Sequence, residues 1–516
     1  MTAILRFNAG LCALLAACLL WPQHAAAFDP LDTESGITPG PFAFSQDPAG
    51  CDREKIRKPL TLADVVDLAL CNNPQTRELW ASARAQAAAV GVNMAAYLPT
   101  LSAQAGVSRS LSVVSGQNVT SNSSSNGRSA SLAASYLLYD FGARAANVES
   151  AKQLLFAADA TRDATLQANF LNAVQAYYSL LSARASVDAT KVAEQSARDA
   201  LEVAQARYEA GVATPADKLQ ARTALAQATL NVITAQGNER TAEGTLANIM
   251  GFDANQPFFL APFPDTTPNP AVEEDIGKLI EEGRKNRPDL AAADAQIKAA
   301  QAQLDASHAA NWPTITLNAS SGYQNLSGTQ NVPGTTLINP GTGTRTNSIG
   351  VSVNFPLFTG FRNGYLIRSS EEQLAGKAAA RDLLANQVAL DVWRAYQNLL
   401  TNSQAVRTAD DLVASATASA QMTLGRYKAG VSGLSIVDVL NAQSALASAR
   451  QQRVAALYNF LASRMALAQA IGTLDLTRLD ELPGQEYPAP PPNPGRSQAP
   501  DQIRSNPSQK EVNPGK

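Results

Sequence analysis

Histidine is the scarcest catalytic residue type in this chain, with two in 516 residues, and cysteine follows with four. The N-terminal stretch holds half of each. One charge, Arg6, precedes an apolar run from Leu11 to Trp21, and Ala25-Ala26-Ala27 follows. That is the layout of a secretory signal over 1–27. Cleavage after Ala27 removes His24, Cys12 and Cys18, leaving His308, Cys51 and Cys71. Leu15-Ala16-Ala17-Cys18 offers a second route, with Cys18 as a lipidated first residue, and either route exports the chain. A Ser-His-Asp or Cys-His site has one histidine to use, His308. It lies in QLDASHAAN, where a helix face is its expected place. A zinc centre lacks its usual donors, and no nucleotide-binding loop is present. The chain is therefore predicted to be no enzyme and to hold no cofactor and no metal.

Charge is also scarce. Charged residues are 16% of the chain, against about 25% in ordinary globular proteins. The net charge of -3 gives no electrostatic case for nucleic acid. After the signal, no run reaches the roughly 18 apolar residues of a membrane helix. If the chain crosses a membrane, it does so as a β-barrel.

What is present is one unit written twice. Asn73-Pro74 precedes Tyr97-Leu98-Pro99-Thr100-Leu101, and Arg287-Pro288 precedes Asn311-Trp312-Pro313-Thr314-Ile315. LLYDFGAR at 137–144 pairs with LFTGFR at 357–362, RYEAGV at 207–212 with RYKAGV at 426–431, and DKLQA at 217–221 with DVLNA at 438–442. The order is preserved, so an internal duplication is predicted, with repeats over 60–250 and 272–472. Each repeat reads as two helices broken at a proline, then a pair of strands with period-two alternation, 100–139 and 314–358. Leu101, Ala103, Ala105 and Val107 alternate with Ser102, Gln104, Gly106 and Ser108, and Ile349, Val351 and Val353 with Gly350, Ser352 and Asn354. Strands of about ten residues suit a bilayer crossing. The polar stretches SVVSGQNVTSNSSSNGRS and NLSGTQNVPGTTLINPGTGTRTNS are expected to be solvent loops between them.

Ala143 to Ala210 contains no proline or glycine, which predicts a helix of about 100 Å. A matching helix begins near Asn363. Each turns at a glycine, Gly211 or Gly430, and a returning helix starts near Thr214 or Ser435. The tips are 211–214 and 430–435. Residues 28–59 read as irregular, 251–271 as a proline-rich linker and 473–516 as a disordered tail. Four strands cannot close a barrel, so the architecture predicted is α+β: a 12-stranded barrel from three chains continuing into a helical tunnel. Cys51 and Cys71, in an exported chain, are expected to form a disulfide.

These motifs resemble the TolC family of bacterial outer-membrane channels. LTLADVVDLALCNNP, AYLPTL, LLYDFGAR, RYEAGVATPADKLQA, RYKAGVSGLSIVDVLNAQ and LASRMALAQAIGTL carry the resemblance across residues 60–475. It implies a homotrimer spanning outer-membrane lipid with its helical part in the periplasm. It also implies an adaptor protein and an inner-membrane partner, either an ATP-driven exporter or a proton-driven pump. The tips, with Gly211, Val212, Gly430 and Val431, would meet the adaptor, and Asp217, Asp438 and Tyr427 match the family's pore aspartates and gating tyrosine. Asn441 stands where a second acidic ring is found in other members, and the tip arginine has no match, Ser432 or Leu434 standing there. The cysteine pair and the opening LTLADVVDLAL are similar to secretion-type members, so the predicted function is the outer component of a type I protein secretion system. The alternative is the outer component of a multidrug efflux pump. A coiled-coil surface stalk is a third reading, and it predicts no membrane strands.

Overall fold

The structure, a computed structural model, describes residues 29–38, 56–115, 120–262, 275–332, 335–431 and 433–474. The expected signal, Cys51, Ser432 and nearly all of the C-terminal tail lie outside these residues. Strand β1 (Pro59–Leu60) leads into helices α1 (Leu62–Asn72) and α2 (Pro74–Met94). Strands β2 (Thr100–Ser115) and β3 (Thr120–Tyr139) follow, then α3 (Ala143–Glu209), α4 (Pro215–Ile249) and β4 (Phe259–Leu260). The order then recurs as α5 (Ile276–Asn286), α6 (Pro288–Ala309), β5 (Thr314–Val332), β6 (Thr335–Asn354), α7 (Arg362–Lys428) and α8 (Ile436–Ala470). Both long helices have 67 residues and both returning helices 35.

Local chemistry sets these boundaries. Thr61 opens α1 through a capping box, accepting from Asp64 N at 3.2 Å while Asp64 accepts from Thr61 N at 3.0 Å. Asn73 caps α2 from just before Pro74. At the strand-to-helix corner Phe141 and Gly142 are both left-handed, with φ of 53° and 95°, and Gly360 and Phe361 repeat this at 62° and 65°. Asp140 fixes the first corner by accepting from Arg144 N at 2.8 Å and Nε at 3.1 Å.

Strands β2, β3, β5 and β6 form one antiparallel sheet in that order, so β2 and β6 are edges. The strands run 16 to 20 residues, not the ten expected, and absorb most of the two polar stretches read as loops. The register explains this. Each added pair satisfies backbone donors and acceptors, and small polar side chains bridge strands without burying apolar surface, as in Ser124 Oγ to Thr329 Oγ1 at 2.8 Å. Pro340 lies where the β5–β6 register shifts, so its missing N–H disturbs no pair.

The helices make an arc four wide. Near the sheet the order is α2, α3, α6, α7; Ser150 on α3 donates to the Ala299 carbonyl on α6 at 3.0 Å, and Arg381 on α7 pairs with Asp294 on α6 at 3.0 Å. Toward the far end α4 and α8 replace α2 and α6, with Arg184 to Glu243 at 2.8 Å and Arg453 to Asp410 at 2.6 Å. The largest core sits at this changeover, around Val65, Val66, Phe170, Tyr178, Met250 and Phe460. Here Gly251 and Gly472 take φ of 78° and 74°, and a Cβ on either would press to within 3 Å of the backbone of Asn72 or Asn286. The linker is partly built in, since β4 pairs in parallel with β1 and Phe258 is buried. Part of the irregular N-terminal segment is also seated. Asp159 accepts from Thr38 N at 2.9 Å, and the buried Arg162 donates to the Thr38 carbonyl at 2.9 Å while stacking on Trp80.

Candidate functional site

Two surfaces are candidates for function, the polar face of the sheet and the helical tips. Residues directly opposite in a ladder share a face. Leu101, Ala134, Ala319 and Ile349 are aligned across the four strands, as are Ala103 and Leu132 or Leu317 and Val351. The opposite face carries Ser102, Ser135, Asn318 and Ser352. There Ser135 Oγ donates to Asn318 Oδ1 at 3.0 Å, Asn318 Nδ2 donates to Ser352 Oγ at 3.1 Å, and Ser320 and Ser348 meet at 2.8 Å. One face is thus apolar and exposed and the other an uncharged hydrogen-bonding wall. At the helix end of the apolar face stands an aromatic collar, with Phe141 stacked on Trp312 at 5.3 Å and Phe358 edge-on to Phe361 at 5.5 Å.

At the tips, each long helix ends in the same way. Gly211 N and Val212 N donate to the carbonyls of Tyr208 and Arg207, both at 3.0 Å, while Gly430 N and Val431 N reach Tyr427 and Arg426 at 3.1 and 3.2 Å. The left-handed φ of Gly211 and Gly430, 77° and 73°, makes this closure possible. The second tip is two residues longer and uses a further left-handed glycine, Gly433.

Asp217 and Asp438 occupy the third position of the returning helices. Asp217 Oδ2 accepts from Thr214 N at 2.8 Å and Oγ1 at 2.9 Å, and Asp438 Oδ2 accepts from Ser435 N at 2.8 Å and Oγ at 2.9 Å. Both are therefore helix-start carboxylates. Asp438 is exposed, and the Ser435 backbone N–H, then its hydroxyl, holds its pKa below the usual carboxylate value. Asn441 is exposed one turn further on, and Leu434 is half-buried.

Tyr427 is placed differently. The residue is 4% exposed, in a cluster with Ala200, Ala204, Ala221, Ile436 and Val439. The Arg207 guanidinium lies 4.7 Å from the ring centroid, and its Nη1 donates to the Tyr427 carbonyl at 2.7 Å. The Tyr427 hydroxyl is buried with no hydrogen-bond partner among the described residues. Burial raises its pKa, with Arg207 opposing and Asp217 reinforcing the rise. The structure thus brings Arg207, Tyr427 and Asp217 together and leaves Asp438 on the surface. Arg207 was not singled out from the sequence. The signal was the paired R-Y-x-A-G, but the symmetry is broken in space: Arg426 and Tyr208 are exposed, and Arg207 of the first tip meets Tyr427 of the second. Cys71 is disulfide-bonded. His308 is exposed near the end of α6.

A sheet apolar on one face and polar on the other, carried on a helical arc with open edges, defines a sector of a membrane channel. The chain belongs to the outer membrane efflux protein family, whose model matches residues 65–252 and 279–473. It is 30% identical over 428 residues to Protein CyaE of Bordetella pertussis, covering 83% of this chain and 87% of that protein. To Outer membrane protein TolC of Escherichia coli it is 24% identical, covering 80% and 82%. Among solved structures, a membrane protein from Pseudomonas aeruginosa matches with a TM-score of 0.67 and 24% identity, covering 80% of this chain and 93% of that one. The outer membrane protein VceC of Vibrio cholerae matches at 0.65 and 20%, covering 80% and 96%. The protein is an outer-membrane efflux channel of the TolC type, with its helical part in the periplasm.

Proposed function

We propose that three copies of this chain close into a 12-stranded barrel and helical tunnel serving as the outer component of a type I protein secretion system. The observation that carries closure is the open sector: among the described residues, β2 and β6 leave unpaired backbone at both sheet edges, which hydrocarbon does not tolerate. The uncharged Ser/Asn wall then lines a passive duct, driven by an ATP-dependent inner-membrane exporter through a periplasmic adaptor at the tips, with Gly211, Val212, Gly430 and Val431 at the contact. Asp438 repeats around the axis of the narrow mouth as a cation-attracting ring, with Asp217 and Tyr427 behind it. The cysteine pair and the opening LTLADVVDLAL support protein rather than drug cargo. Deleting the gene tests cargo directly: loss of a secreted protein from the medium with unchanged sensitivity to small toxic compounds supports secretion, and the reverse pattern establishes drug efflux instead.

A further inference from the structure

The charged residues of β2, β3, β5 and β6 are three arginines, Arg109, Arg128 and Arg345; the four strands contain no aspartate, glutamate, lysine or histidine. The ladder puts all three on one face. Arg128 pairs with Val107, two residues before Arg109. Arg345 pairs with Tyr323, which pairs with Ala130, itself opposite Ala105. This is the apolar face of Leu101, Leu132 and Val351, not the serine and asparagine wall. Each arginine is exposed, and none makes a hydrogen bond or ion pair among the described residues.

Their height on that face is equally defined. Leu101 to Arg109 is about 27 Å along the strand, or roughly 20 Å of height at the usual barrel tilt. The arginines thus stand toward the hairpin end of the apolar face, where it gives way to polar residues on β3, β5 and β6, and opposite the collar of Phe141, Trp312 and Phe361. On β3 the face turns polar beyond them, at Asn126 and Ser124; on β5 and β6 it turns polar one pair before Arg345, where Ser321 Oγ donates to Asn347 Oδ1 at 2.8 Å; on β2 the apolar stripe continues through Leu111 and Val113. With the helices in the periplasm, this end lies in the outer leaflet. Arg109 and Arg128 are diagonal neighbours about 7–8 Å apart. Arg345 is two strands and two residues from Arg128, about 12 Å away. Tyr323 lies between, its hydroxyl over Gly343, where an added Cβ would come within 2.7 Å of it.

Guanidinium groups facing a membrane without a protein counter-ion call for an anion from the lipid. Arginine forks bind phosphate in a bidentate manner. A single lipid phosphate satisfies one arginine, whereas a disaccharide headgroup bearing two phosphates spans the group. We propose that Arg109, Arg128 and Arg345 form a lipid-facing site for a diphosphorylated saccharolipid of the outer leaflet. The proposal rests on the apolar face meeting lipid and is independent of the gate and the cargo.

The test uses the intact protein in detergent and in nanodiscs, with diphosphorylated lipid A as the probe and native mass spectrometry as the readout. Wild type should retain lipid A, and the triple variant R109Q/R128Q/R345Q should bind it on the order of a hundredfold more weakly. The triple Arg→Lys variant, which keeps the charge and loses the forks, should bind between wild type and the Gln variant. On wild type, dephosphorylated lipid A should bind on the order of a hundredfold more weakly than diphosphorylated lipid A, a comparison that needs no variant and so holds even if the Gln variant does not assemble. Equal binding of dephosphorylated lipid A, equal binding of phosphatidylglycerol, or displacement by millimolar inorganic phosphate would overturn the proposal. Recovery of wild type outside the membrane fraction would instead overturn the lipid-facing reading beneath it.

Discussion

Tyr427 illustrates how one residue is assigned by its neighbours. Its hydroxyl is orphaned, but its ring is clamped by Arg207. The clamp joins the end of α3 to the end of α7. A cation–π contact of this kind is worth about 0.5–2 kcal/mol. Arg207→Ala should therefore raise single-channel conductance in planar bilayers, whereas Tyr427→Phe, which keeps ring and clamp, should leave it unchanged. A larger effect of Tyr427→Phe would mean that the hydroxyl is bonded across to a neighbouring copy. Asp438→Ala should lower cation preference and abolish block by multivalent cations while the assembly stays intact. The sign of its pH dependence follows from the depressed pKa. The carboxylate is charged above that pKa, so block and capping persist down to acid pH and are lost as pH falls through it. Block that vanishes near neutrality would place the constriction elsewhere.

At the scale of elements, the two halves share one construction at the changeover of the helices. Gly251 and Gly472 end the returning helices in left-handed conformations against the last residues of α1 and α5. Alanine at either position meets both strained φ and a backbone contact. Each substitution should cost about 1–3 kcal/mol, read as a lower denaturation midpoint. Gly237→Ala offers the contrast: it is mid-helix with open space around its Cβ position and should be neutral or stabilising. The disulfide of Cys71 staples the end of α1. With Cys51 as the partner, the closed loop predicts a loss of roughly 3 kcal/mol on Cys71→Ser. Peptide mapping that finds Cys51 free would remove that pairing.

At the scale of the molecule, openness is the governing feature. Among the described residues neither sheet edge pairs with a further strand, and α7 exposes Leu383, Leu390 and Trp393 while α4 exposes Leu230 and Ile233. In the proposed trimer these edges become seams. The protein purified in mild detergent should have the mass of a trimer by light scattering. A monomer or dimer of normal secondary structure would refute the closure.

Much of this was legible in the residues alone. Proline-free and glycine-free runs specify helices because every residue between the caps can join the ladder. Proline pairs and tip glycines mark breaks because they forbid or permit particular φ. The period-two alternation marked the strands, since a sheet between oil and water must alternate. Strand length was not legible, because serine, threonine and asparagine suit loop and wet strand equally until a partner strand supplies the register. Nor was the Arg207–Tyr427 clamp, because two identical R-Y-x-A-G tips carry no information about which arginine meets which ring. The arginine row on the lipid face was hidden for the same reason. Arg109, Arg128 and Arg345 are far apart in the chain, and only cross-strand pairing sets them side by side. Local sequence determined the elements through backbone sterics and periodicity, whereas long-range pairing decided which side chains share a surface.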